Sequence, residues 1–242
     1  MKGLRAVVPA AGRGSRLRAR TGGGPKGLVQ VAGRPLLAHV LDRLVELDAS
    51  AVSVVVSSGD EAIRRCFGAE WRGRPLRYVE QGEPLGLAHA VALGAQGCQD
   101  SFLVMHGDVV FAPGVELHPV IDRFERGDVA ACLLIERREP ERVGRGAVHV
   151  DDEGRVRGLM EYPGTEEQRW GRVAAGFYAF GPEIREALDS VEPSPAGELE
   201  LPAAVRRLLE WGHGVAAVDL EGERVNVNTP VDLDRAERLL RT

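Results

Sequence analysis

Cysteine, net positive charge and long apolar runs are all scarce in this sequence, and each absence excludes a class of protein. Three cysteines among 242 residues leave no disulfide framework, and Cys66, Cys98 and Cys132 have no metal-ligand spacing. A net charge of −5 argues against a general binder of polyanions. No apolar run approaches the roughly 20 residues of a membrane-spanning helix, and the apolar stretch after Arg5 is too short for a signal peptide. We therefore expect a cytoplasmic globular protein without nucleic-acid or membrane partners, while a homo-oligomer stays open.

Lysine is the scarcest charged residue. Of the 31 basic residues, Lys2 and Lys26 are the only lysines and the other 29 are arginines. Arginine is thus the default cation of this chain, and a lysine inside a glycine-rich segment indicates a position that favours a compact ammonium group. Lys26 is for this reason the most informative cation in the sequence.

The hydrophobic pattern predicts alternating strands and helices over the first 136 residues. The predicted strands are 4–9, 51–57, 76–80, 102–105 and 129–136, and the predicted helices are 35–47, 60–67, 86–95 and 115–126. Alternation of this kind is typical of α/β proteins, in which a largely parallel sheet carries helices on both faces.

The rest of the chain has a different rhythm. Its predicted elements are strands at 147–151, 155–161, 173–180, 214–220 and 224–227, and helices at 183–190, at 198–211 and from Thr229-Pro230 onward. The first three strands follow one another with short connections, which suggests antiparallel additions and a protruding lobe around 137–180. The last helix starts with an N-cap threonine and a proline at its first position. Without repeats or a low-complexity linker, the chain is predicted to be one domain, 1–242.

The richest segment of the sequence is 10–26, AAGRGSRLRARTGGGPK, directly after the first predicted strand. Doubly wound sheets bind ligands at the carboxyl ends of their strands. Gly12 and Gly14 let backbone N–H groups approach an anion closely, and Arg16 and Lys26 add positive charge. The segment is therefore a candidate anion-binding loop.

Other interpretations explain this segment less completely. A dinucleotide-binding fingerprint needs a third glycine where Leu17 stands, and a P-loop needs its lysine in another setting, since Lys26 follows a proline and precedes a glycine. A flexible surface loop explains Arg18 and Arg20 by composition but does not explain Lys26. A nucleic-acid-binding role rests on the arginines of 13–20 alone, and the negative net charge opposes it.

A longer pattern overlaps this segment. It runs from residue 12 to residue 37 as Gly12-Arg13-Gly14-Ser15-Arg16-Leu17, Pro25-Lys26, Leu28-Val29-Gln30-Val31 and Gly33-Arg34-Pro35-Leu36-Leu37. This pattern resembles the opening signature of the sugar-1-phosphate nucleotidylyltransferases, and the similarity continues along nearly the whole chain. The resemblance implies a three-layer, Rossmann-like, doubly wound mixed sheet, mostly parallel, with a small antiparallel acceptor-side lobe. It also implies a nucleotide-binding part at about 1–136 and an acceptor-binding part at about 137–242.

The resemblance implies catalytic roles for two cations of the loop. Arg16 would hold the triphosphate and stabilise the departing pyrophosphate, and Lys26 would draw the phosphates of both reactants together. A second match, at 81–90, contains a glutamine and a glycine that read the base in this family. A glutamine amide offers a donor and an acceptor, which suits uracil or thymine. The implied nucleotide-binding residues are Ala11, Gly12, Gly14, Ser15, Gln81 and Gly86.

Mg²⁺ is the implied cofactor. Asp108 ends a predicted strand, where a carboxylate is a natural Mg²⁺ ligand, and the family uses this aspartate so. Asn226 stands where the family often has a second aspartate, and Asn228 matches an asparagine that N-acetylglucosamine-1-phosphate uridylyltransferases use instead. Asparagine coordinates Mg²⁺ through its carbonyl oxygen without adding charge. Asn228 could alternatively help to cap the last helix.

The implied acceptor-binding residues are Gly146, Glu161 and Gly176. Glu161 would accept hydrogen bonds from sugar hydroxyl groups. The strand that contains Gly176 is similar to the acceptor strand of the family.

The chain departs from the family at two positions on the acceptor side. Tyr162 replaces a lysine that commonly contacts the sugar phosphate. Ala174 replaces an asparagine that uridylyltransferases use on the acceptor strand. The missing cation is expected from one of three arginines, Arg145, Arg169 or Arg172.

These features together imply a Mg²⁺-dependent enzyme that joins a nucleoside triphosphate, UTP or dTTP, to a sugar 1-phosphate and releases pyrophosphate. Two alternatives stay open. The run 25–31 also resembles phosphocholine cytidylyltransferases, so the acceptor could be a phospho-alcohol such as phosphocholine or inositol phosphate. Tyr162 and Asn226, in place of charged residues, would suit a non-catalytic nucleotide-sugar-binding protein. Arg16, Lys26 and Asp108, which are all present, argue against it.

Overall fold

The computed structural model describes residues 3–12, 14–17 and 23–241, with Ser15 described by its backbone alone. The chain folds into two units. The first unit comprises 1–84, 105–115 and 222–242, and the second comprises 85–104 and 116–221. Each unit is therefore assembled from separate stretches of chain. The single domain predicted from the sequence, with its change of role near residue 136, stays a prediction.

Strands and α-helices alternate along much of the described chain. The strands are β1 (Arg5–Pro9), β2 (Gln30–Val31), β3 (Arg34–Pro35), β4 (Ala51–Ser57), β5 (Glu70–Trp71), β6 (Arg74–Gln81), β7 (Phe102–Met105), β8 (Val109–Phe111), β9 (Ala131–Arg137), β10 (Ala147–Val150), β11 (Val156–Met160), β12 (Arg172–Phe180), β13 (Val215–Asp219) and β14 (Arg224–Asn226). The α-helices are α1 (Leu36–Glu46), α2 (Glu61–Phe67), α3 (Leu87–Gly94), α4 (His118–Phe124), α5 (Thr165–Gln168), α6 (Ile184–Asp189), α7 (Leu201–Glu210) and α8 (Pro230–Leu239). Within the described ranges, none of these helices combines the length and the apolarity that crossing a membrane requires.

The strands and helices predicted from the hydrophobic pattern are all present, with ends that shift by a few residues. The elements that the pattern did not reveal are short: β2, β3, β5, β8 and α5. Two to four residues are too few to display the period of a strand or a helix. Their partners in the tertiary structure define them instead.

The first unit is built on three parallel strands. β4 lies between β1 and β6, and Pro9 pairs with Val55 while Ser57 pairs with Gln81. β4 is buried along its middle five residues, as strands covered on both faces are. The Ser57 hydroxyl donates to the Ala11 carbonyl oxygen at 2.8 Å. The glycine-rich loop and Gln81 therefore start from the same carboxyl edge of this sheet.

A second ladder in the first unit joins β8 to β14. The strands are antiparallel with Asn226 opposite Val109, and the Val227 N–H donates to the Asp108 carbonyl oxygen at 2.9 Å. Apolar residues next to this ladder form one buried cluster, whose members are Leu17, Val29, Val31, Leu36, Val110, Val225, Val227, Leu233, Ala236 and Leu239. Leu17 is fully buried there, so the residue that breaks the dinucleotide fingerprint is a core residue that anchors the loop.

The second unit has a mixed sheet. β9 lies between β12, to which it is antiparallel, and β13, to which it is parallel. β10 pairs in antiparallel fashion with both β11 and β12. The predicted antiparallel additions are thus confirmed, and so is the α/β class with a mixed sheet.

Candidate active site

Asp108 leaves the sheet edge through a turn that requires a glycine. The Gly107 N–H donates to the Pro9 carbonyl oxygen at 3.1 Å. A Cβ on Gly107 would lie 2.7 Å from that oxygen, closer than side-chain carbons approach backbone. The close approach of the two segments therefore sets the position of Asp108 beside the end of β1.

Lys26, Asp108 and Asn228 form one hydrogen-bonded cluster. The Lys26 Nζ donates to Asp108 Oδ2 at 2.7 Å and to Asn228 Oδ1 at 2.7 Å. The Lys26 side chain is 11% exposed and that of Asp108 is 24% exposed. These residues lie 82 and 202 positions apart along the chain, so the tertiary fold assembles an ammonium group between a carboxylate and an amide oxygen.

Neighbouring positive groups stabilise the negative charge of Asp108. Burial by itself would raise the pKa of its carboxyl group, but the Lys26 ammonium, with smaller contributions from His106 and Arg224, holds the pKa below its ordinary value. Burial also lowers the pKa of His106, and the nearby Asp108 charge works against that effect. Asp108 is therefore an anion at neutral pH.

Asn226 supports Asp108 from the neighbouring strand. Its Nδ2 donates to Asp108 Oδ1 at 3.3 Å, and its Oδ1 accepts a hydrogen bond from the Arg224 guanidinium. Arg224 is 8% exposed. The amide of Asn226 thus turns its donor toward Asp108 and its acceptor toward Arg224. The sequence analysis did not single out Arg224. Its spacing could have indicated it, because a residue two positions before Asn226 lies on the same face of a strand.

The side chain of Asn228 does not cap the last helix. The Thr229 hydroxyl accepts from the Asp232 N–H at 3.2 Å, and the Asp232 carboxylate accepts from the Thr229 N–H at 2.8 Å. This capping box satisfies the start of α8. The predicted N-cap at Thr229 is confirmed, and the Asn228 Oδ1 faces Lys26 instead.

The glycine-rich loop packs its backbone against Lys26. Gly14 has a φ of +53°, and a Cβ there would lie 3.0 Å from the Lys26 Cβ, so glycine satisfies both the conformation and the space. Gly12 and Arg16 are exposed, while Ala11 is buried. Ser15 starts a 3-10 turn that ends at Leu17. Three arginines of the predicted basic cluster lie outside the described residues: Arg13, Arg18 and Arg20.

The two predicted base-reading residues belong to different units. Gln81 ends β6 and is 6% exposed in the first unit. Gly86 precedes α3 in the second unit with a φ of +112°. A Cβ on Gly86 would lie 2.6 Å from the backbone nitrogen and oxygen of Leu199. Packing against the 197–201 segment therefore requires a glycine at position 86, independently of the predicted role of Gly86 in base recognition.

The predicted acceptor residues of the second unit lie on or directly next to three adjoining strands: Gly146 precedes β10, Glu161 follows β11 and Gly176 is within β12. Gly146, with a φ of +68°, donates from its N–H to the Glu161 carbonyl oxygen at 3.2 Å and accepts from the Ala174 N–H at 2.8 Å. Gly176, with a φ of +80°, falls where the register of β12 against β9 shifts, between Ala174 and Tyr178. Both glycines therefore occupy backbone conformations that other residues rarely adopt.

Arg145 is the predicted replacement cation that the structure places beside Glu161. Its NH1 lies 3.7 Å from Glu161 Oε1, and its guanidinium lies over the Tyr162 ring at 4.7 Å from the centroid. The antiparallel register of β10 and β11 explains this, because Ala147 opposite Met160 brings Arg145 opposite Tyr162. Arg172 instead lies 3.7 Å from Asp219.

Glu161 has an unusual acidity. Burial raises its pKa to about 7, Arg145 opposes that shift, and the nearby Glu200 and Glu198 add to it. Tyr162 and Glu200 also line a cavity of about 660 Å³ in the second unit, together with Arg206. A carboxyl group that titrates near neutral pH thus lies next to an exposed guanidinium and a cavity.

The donor set of the first-unit cluster fits a divalent cation. Carboxylate and amide oxygens are ligands that Mg²⁺ accepts, and those of Asp108 and Asn228 already converge on a cation, the Lys26 ammonium. Among the described residues, no group of three or more histidine, cysteine, aspartate and glutamate side chains could hold a metal. The metal ligands at this cluster would therefore combine one carboxylate with an amide.

The fold and this cluster together define a nucleotide-binding α/β protein: a parallel sheet whose carboxyl edge carries a glycine-rich loop, a lysine and an aspartate. Residues 5–231 match the family model described as nucleotidyl transferase. The chain belongs to this family, within its sugar-1-phosphate nucleotidyltransferases.

Similar proteins cover nearly the whole of this chain. UTP–glucose-1-phosphate uridylyltransferase of Haloferax volcanii is 37% identical over 238 residues, which are 98% of this chain and 96% of that protein. Glucose-1-phosphate thymidylyltransferase of Streptomyces antibioticus is 33% identical over 237 residues, which are 97% of this chain and 65% of that protein. The chain thus spans nearly all of one relative and about two thirds of the other.

Solved structures show the same fold. A UDP-glucose pyrophosphorylase complexed with UDP-glucose superposes with a TM-score of 0.88 at 19% identity, over 98% of this chain and 97% of that one. A UTP-bound UGPase from Acinetobacter baumannii gives 0.86 at 23% identity, over 98% and 92%. The predicted Rossmann-like mixed sheet is confirmed by these likenesses.

Proposed function

We propose that this nucleotidyltransferase joins UTP or dTTP to a sugar 1-phosphate, giving a nucleoside-diphosphate sugar and pyrophosphate. The observation that carries the proposal is the Lys26 ammonium held between Asp108 Oδ2 and Asn228 Oδ1, behind the glycine-rich loop. Relatives named UTP–glucose-1-phosphate uridylyltransferase and glucose-1-phosphate thymidylyltransferase support the reaction type.

The reaction makes few demands on acid–base groups. A phosphate monoester has a second pKa near 6, so it is mostly dianionic at neutral pH and is already a nucleophile. One of its oxygens forms a bond to the α-phosphorus, and the bond from that phosphorus to the bridging oxygen of pyrophosphate breaks. The protein must then position the reactants in line and neutralise negative charge.

Residues of the first unit suit the nucleotide. The backbone of Gly12 and Gly14 would approach the phosphates, and Arg16 is exposed at the same loop. Lys26 is the point charge that would contact phosphate oxygens from both reactants, since a compact ammonium group serves several oxygens at once. Gln81, at the end of β6, would pair its amide with the N3–H and O4 edge of uracil or thymine.

Asp108 and Asn228 would hold Mg²⁺. When bound, the ion supplies positive charge to the phosphate oxygens. Asn226 stays a support of Asp108 in this proposal, because its carbonyl oxygen accepts from Arg224 and its amide nitrogen faces the carboxylate.

Residues of the second unit suit the acceptor. Glu161 would accept hydrogen bonds from sugar hydroxyl groups. The backbone of Gly146 and Gly176 would lie beside the bound acceptor. Arg145, whose side chain is 62% exposed, would contact the acceptor phosphate in place of the lysine that Tyr162 replaces. The Tyr162 ring, whose centroid is 4.7 Å from the central carbon of the guanidinium, stabilises this cation.

Pyrophosphate release tests this proposal. The protein is incubated with Mg²⁺ and each of UTP, dTTP, CTP, ATP and GTP, against a panel of hexose 1-phosphates, amino-sugar 1-phosphates, phosphocholine and inositol phosphate. We expect turnover with UTP or dTTP and a sugar 1-phosphate. Turnover confined to CTP with a phospho-alcohol would replace the proposed acceptor and base, and binding of nucleotide sugars without any turnover would make the protein a non-catalytic binder.

A further inference from the structure

Lys26 and a divalent metal would need the same two oxygen atoms. Lys26 Nζ contacts Asp108 Oδ2 and Asn228 Oδ1, each at 2.7 Å. These are the carboxylate oxygen and the amide oxygen that the cluster offers a cation. The ammonium group therefore stands where an incoming ion would be coordinated.

The other polar atoms of the cluster form hydrogen bonds with one another and do not offer a second position for a cation. Asp108 Oδ1 accepts from Asn226 Nδ2 at 3.3 Å, and Asn226 Oδ1 accepts from Arg224. Asn226 therefore presents a donor to the carboxylate, and turning its oxygen toward a metal would break both contacts. A metal gains access by removing Lys26 rather than by turning Asn226.

A bound lysine and a bound dication cannot share these oxygens, because like charges a few ångströms apart repel strongly in a partly buried site. Lys26 leaves when another set of oxygens can accept its three N–H groups. Its unbranched stem lies against Gly14, which leaves room for the side chain where a Cβ would crowd it. The phosphate oxygens of a triphosphate bound at the glycine-rich loop would be such acceptors, because the loop belongs to the same segment of chain as Lys26.

We propose that Lys26 is the resident cation of the Asp108–Asn228 site, and that the site admits a divalent metal together with a triphosphate rather than as the free ion. Lys26 gives up Asp108 and Asn228 as it takes phosphate oxygens, so its charge is never left unpaired in the cluster. The inference rests on the proposed function for the identity of the triphosphate. Asn228 is then the amide ligand of the metal, and Asn226 is a positioning residue for Asp108.

Binding of Mn²⁺ alone tests this inference without any turnover. Free Mn²⁺ is followed by its electron paramagnetic resonance signal during titration of wild-type protein, Lys26→Met and Lys26→Gln, without nucleotide. We expect both variants to bind Mn²⁺ at least about tenfold more tightly than the wild type, since a like charge is removed from the site. Equal affinity in the wild type and both variants would overturn the proposal.

Arg74→Met is the matched control. Arg74 NH2 pairs with Asp48 Oδ1 at 2.6 Å in the same unit, so this variant also removes one positive charge and frees one carboxylate. We expect its Mn²⁺ affinity to equal that of the wild type. A gain as large as that of Lys26→Met would mean that net charge explains the effect, and would contradict a specific site.

Double variants identify the ligand. In the Lys26→Met background, Asn228→Ala is expected to abolish the gain in Mn²⁺ affinity, whereas Asn226→Ala retains most of it. The reverse order would overturn the assignment of Asn228. Thermal unfolding with and without Mn²⁺ gives a second reading, because Mn²⁺ should raise the Tm of folded Lys26→Met and leave that of the wild type unchanged.

The pyrophosphate assay separates this inference from the proposed function. Wild-type turnover with equal Mn²⁺ affinity in all three proteins would refute the resident-cation role and leave the reaction intact. Tighter Mn²⁺ binding by the lysine variants without wild-type turnover on any pair would support the shared site and refute the reaction.

Discussion

The guanidinium of Arg145 lies over the aromatic ring of Tyr162, with 4.7 Å between its central carbon and the ring centroid. The same guanidinium is 3.7 Å from Glu161 Oε1. Tyr162 thus has a positive charge beside its ring, because Arg145 lies just before β10, the strand that pairs with β11. Residue 162 is not the expected lysine, but Arg145 places a positive charge beside it.

Arg145→Ala is expected to raise the KM for the sugar 1-phosphate about tenfold or more while leaving the KM for the nucleotide within a factor of two, since a hydrogen bond to a charged group is worth roughly 1.5–3 kcal/mol. Steady-state kinetics with each substrate varied in turn measures this. Arg157→Ala is the control, because it removes an exposed arginine of the same unit that pairs with Asp151 at 2.7 Å. Equal changes in the two variants would remove Arg145 from the acceptor site.

Lys26→Arg is expected to lower kcat roughly a hundredfold, by analogy with the loss of one charge-stabilising donor. The larger, planar guanidinium keeps the charge but cannot take the place of an ammonium that is packed against Gly14 and held by two oxygens at 2.7 Å. Single-turnover pyrophosphate release separates the chemical step from binding. Full activity in this variant would show that any cation suffices at residue 26.

The raised pKa of Glu161 predicts a pH effect on stability. Its pKa is about 7 in the folded protein and near 4.3 in an unfolded chain, so the folded state holds the proton more tightly. Unfolding then becomes easier as the pH rises from below 4.3 through 7. Glu161→Gln removes this loss and should be more stable than the wild type at pH 8, by up to about 3 kcal/mol.

Denaturant unfolding at pH 5 and pH 8 measures the Glu161 effect. The difference between Glu161→Gln and the wild type should be larger at pH 8 than at pH 5. Glu153→Gln, an exposed carboxyl change in the same unit, is expected to show no such difference. A constant gap across the pH range would mean that the Glu161 carboxyl titrates at its ordinary value.

Gly107→Ala is expected to destabilise the protein by roughly 1–3 kcal/mol, because its Cβ would lie 2.7 Å from the Pro9 carbonyl oxygen. Asp108 follows directly, so Mn²⁺–nucleotide binding should weaken in the folded variant. Gly82→Ala is the control, since a Cβ there has no heavy atom within 4 Å. Calorimetry of both variants compares the two glycines, and equal Tm values would contradict the close contact.

Gln81→Ala should blunt discrimination among bases while preserving phosphate chemistry. The ratio of kcat/KM for UTP to that for CTP is expected to fall, because the amide offers both a donor and an acceptor to the base edge. Gln30→Ala is the control, since Gln30 is exposed and donates to the Leu28 carbonyl oxygen in the same unit. An unchanged ratio would remove Gln81 from base recognition.

The long elements of this protein could be predicted from the sequence. An apolar run such as 51–57 and the amphipathic helix α1 carry their periods over seven or more residues. The scarcity of lysine, together with a place in a glycine-rich segment, was enough to single out Lys26 among the cations. Local information of this kind suffices because strand and helix formation depend on neighbouring residues.

The cluster around Lys26 could not be predicted in the same way. Its partners, Asp108 and Asn228, are 82 and 202 residues away, and the resemblance left Asn226 and Asn228 as equal candidates. The antiparallel pairing of β8 with β14, two strands of three residues each, turns Asn226 toward Asp108 and Arg224 and leaves Asn228 to Lys26. Likewise the register of β10 and β11 brings Arg145 beside Glu161 and Tyr162. Pairing between distant segments decides which polar atoms meet, and neither composition nor periodicity records it.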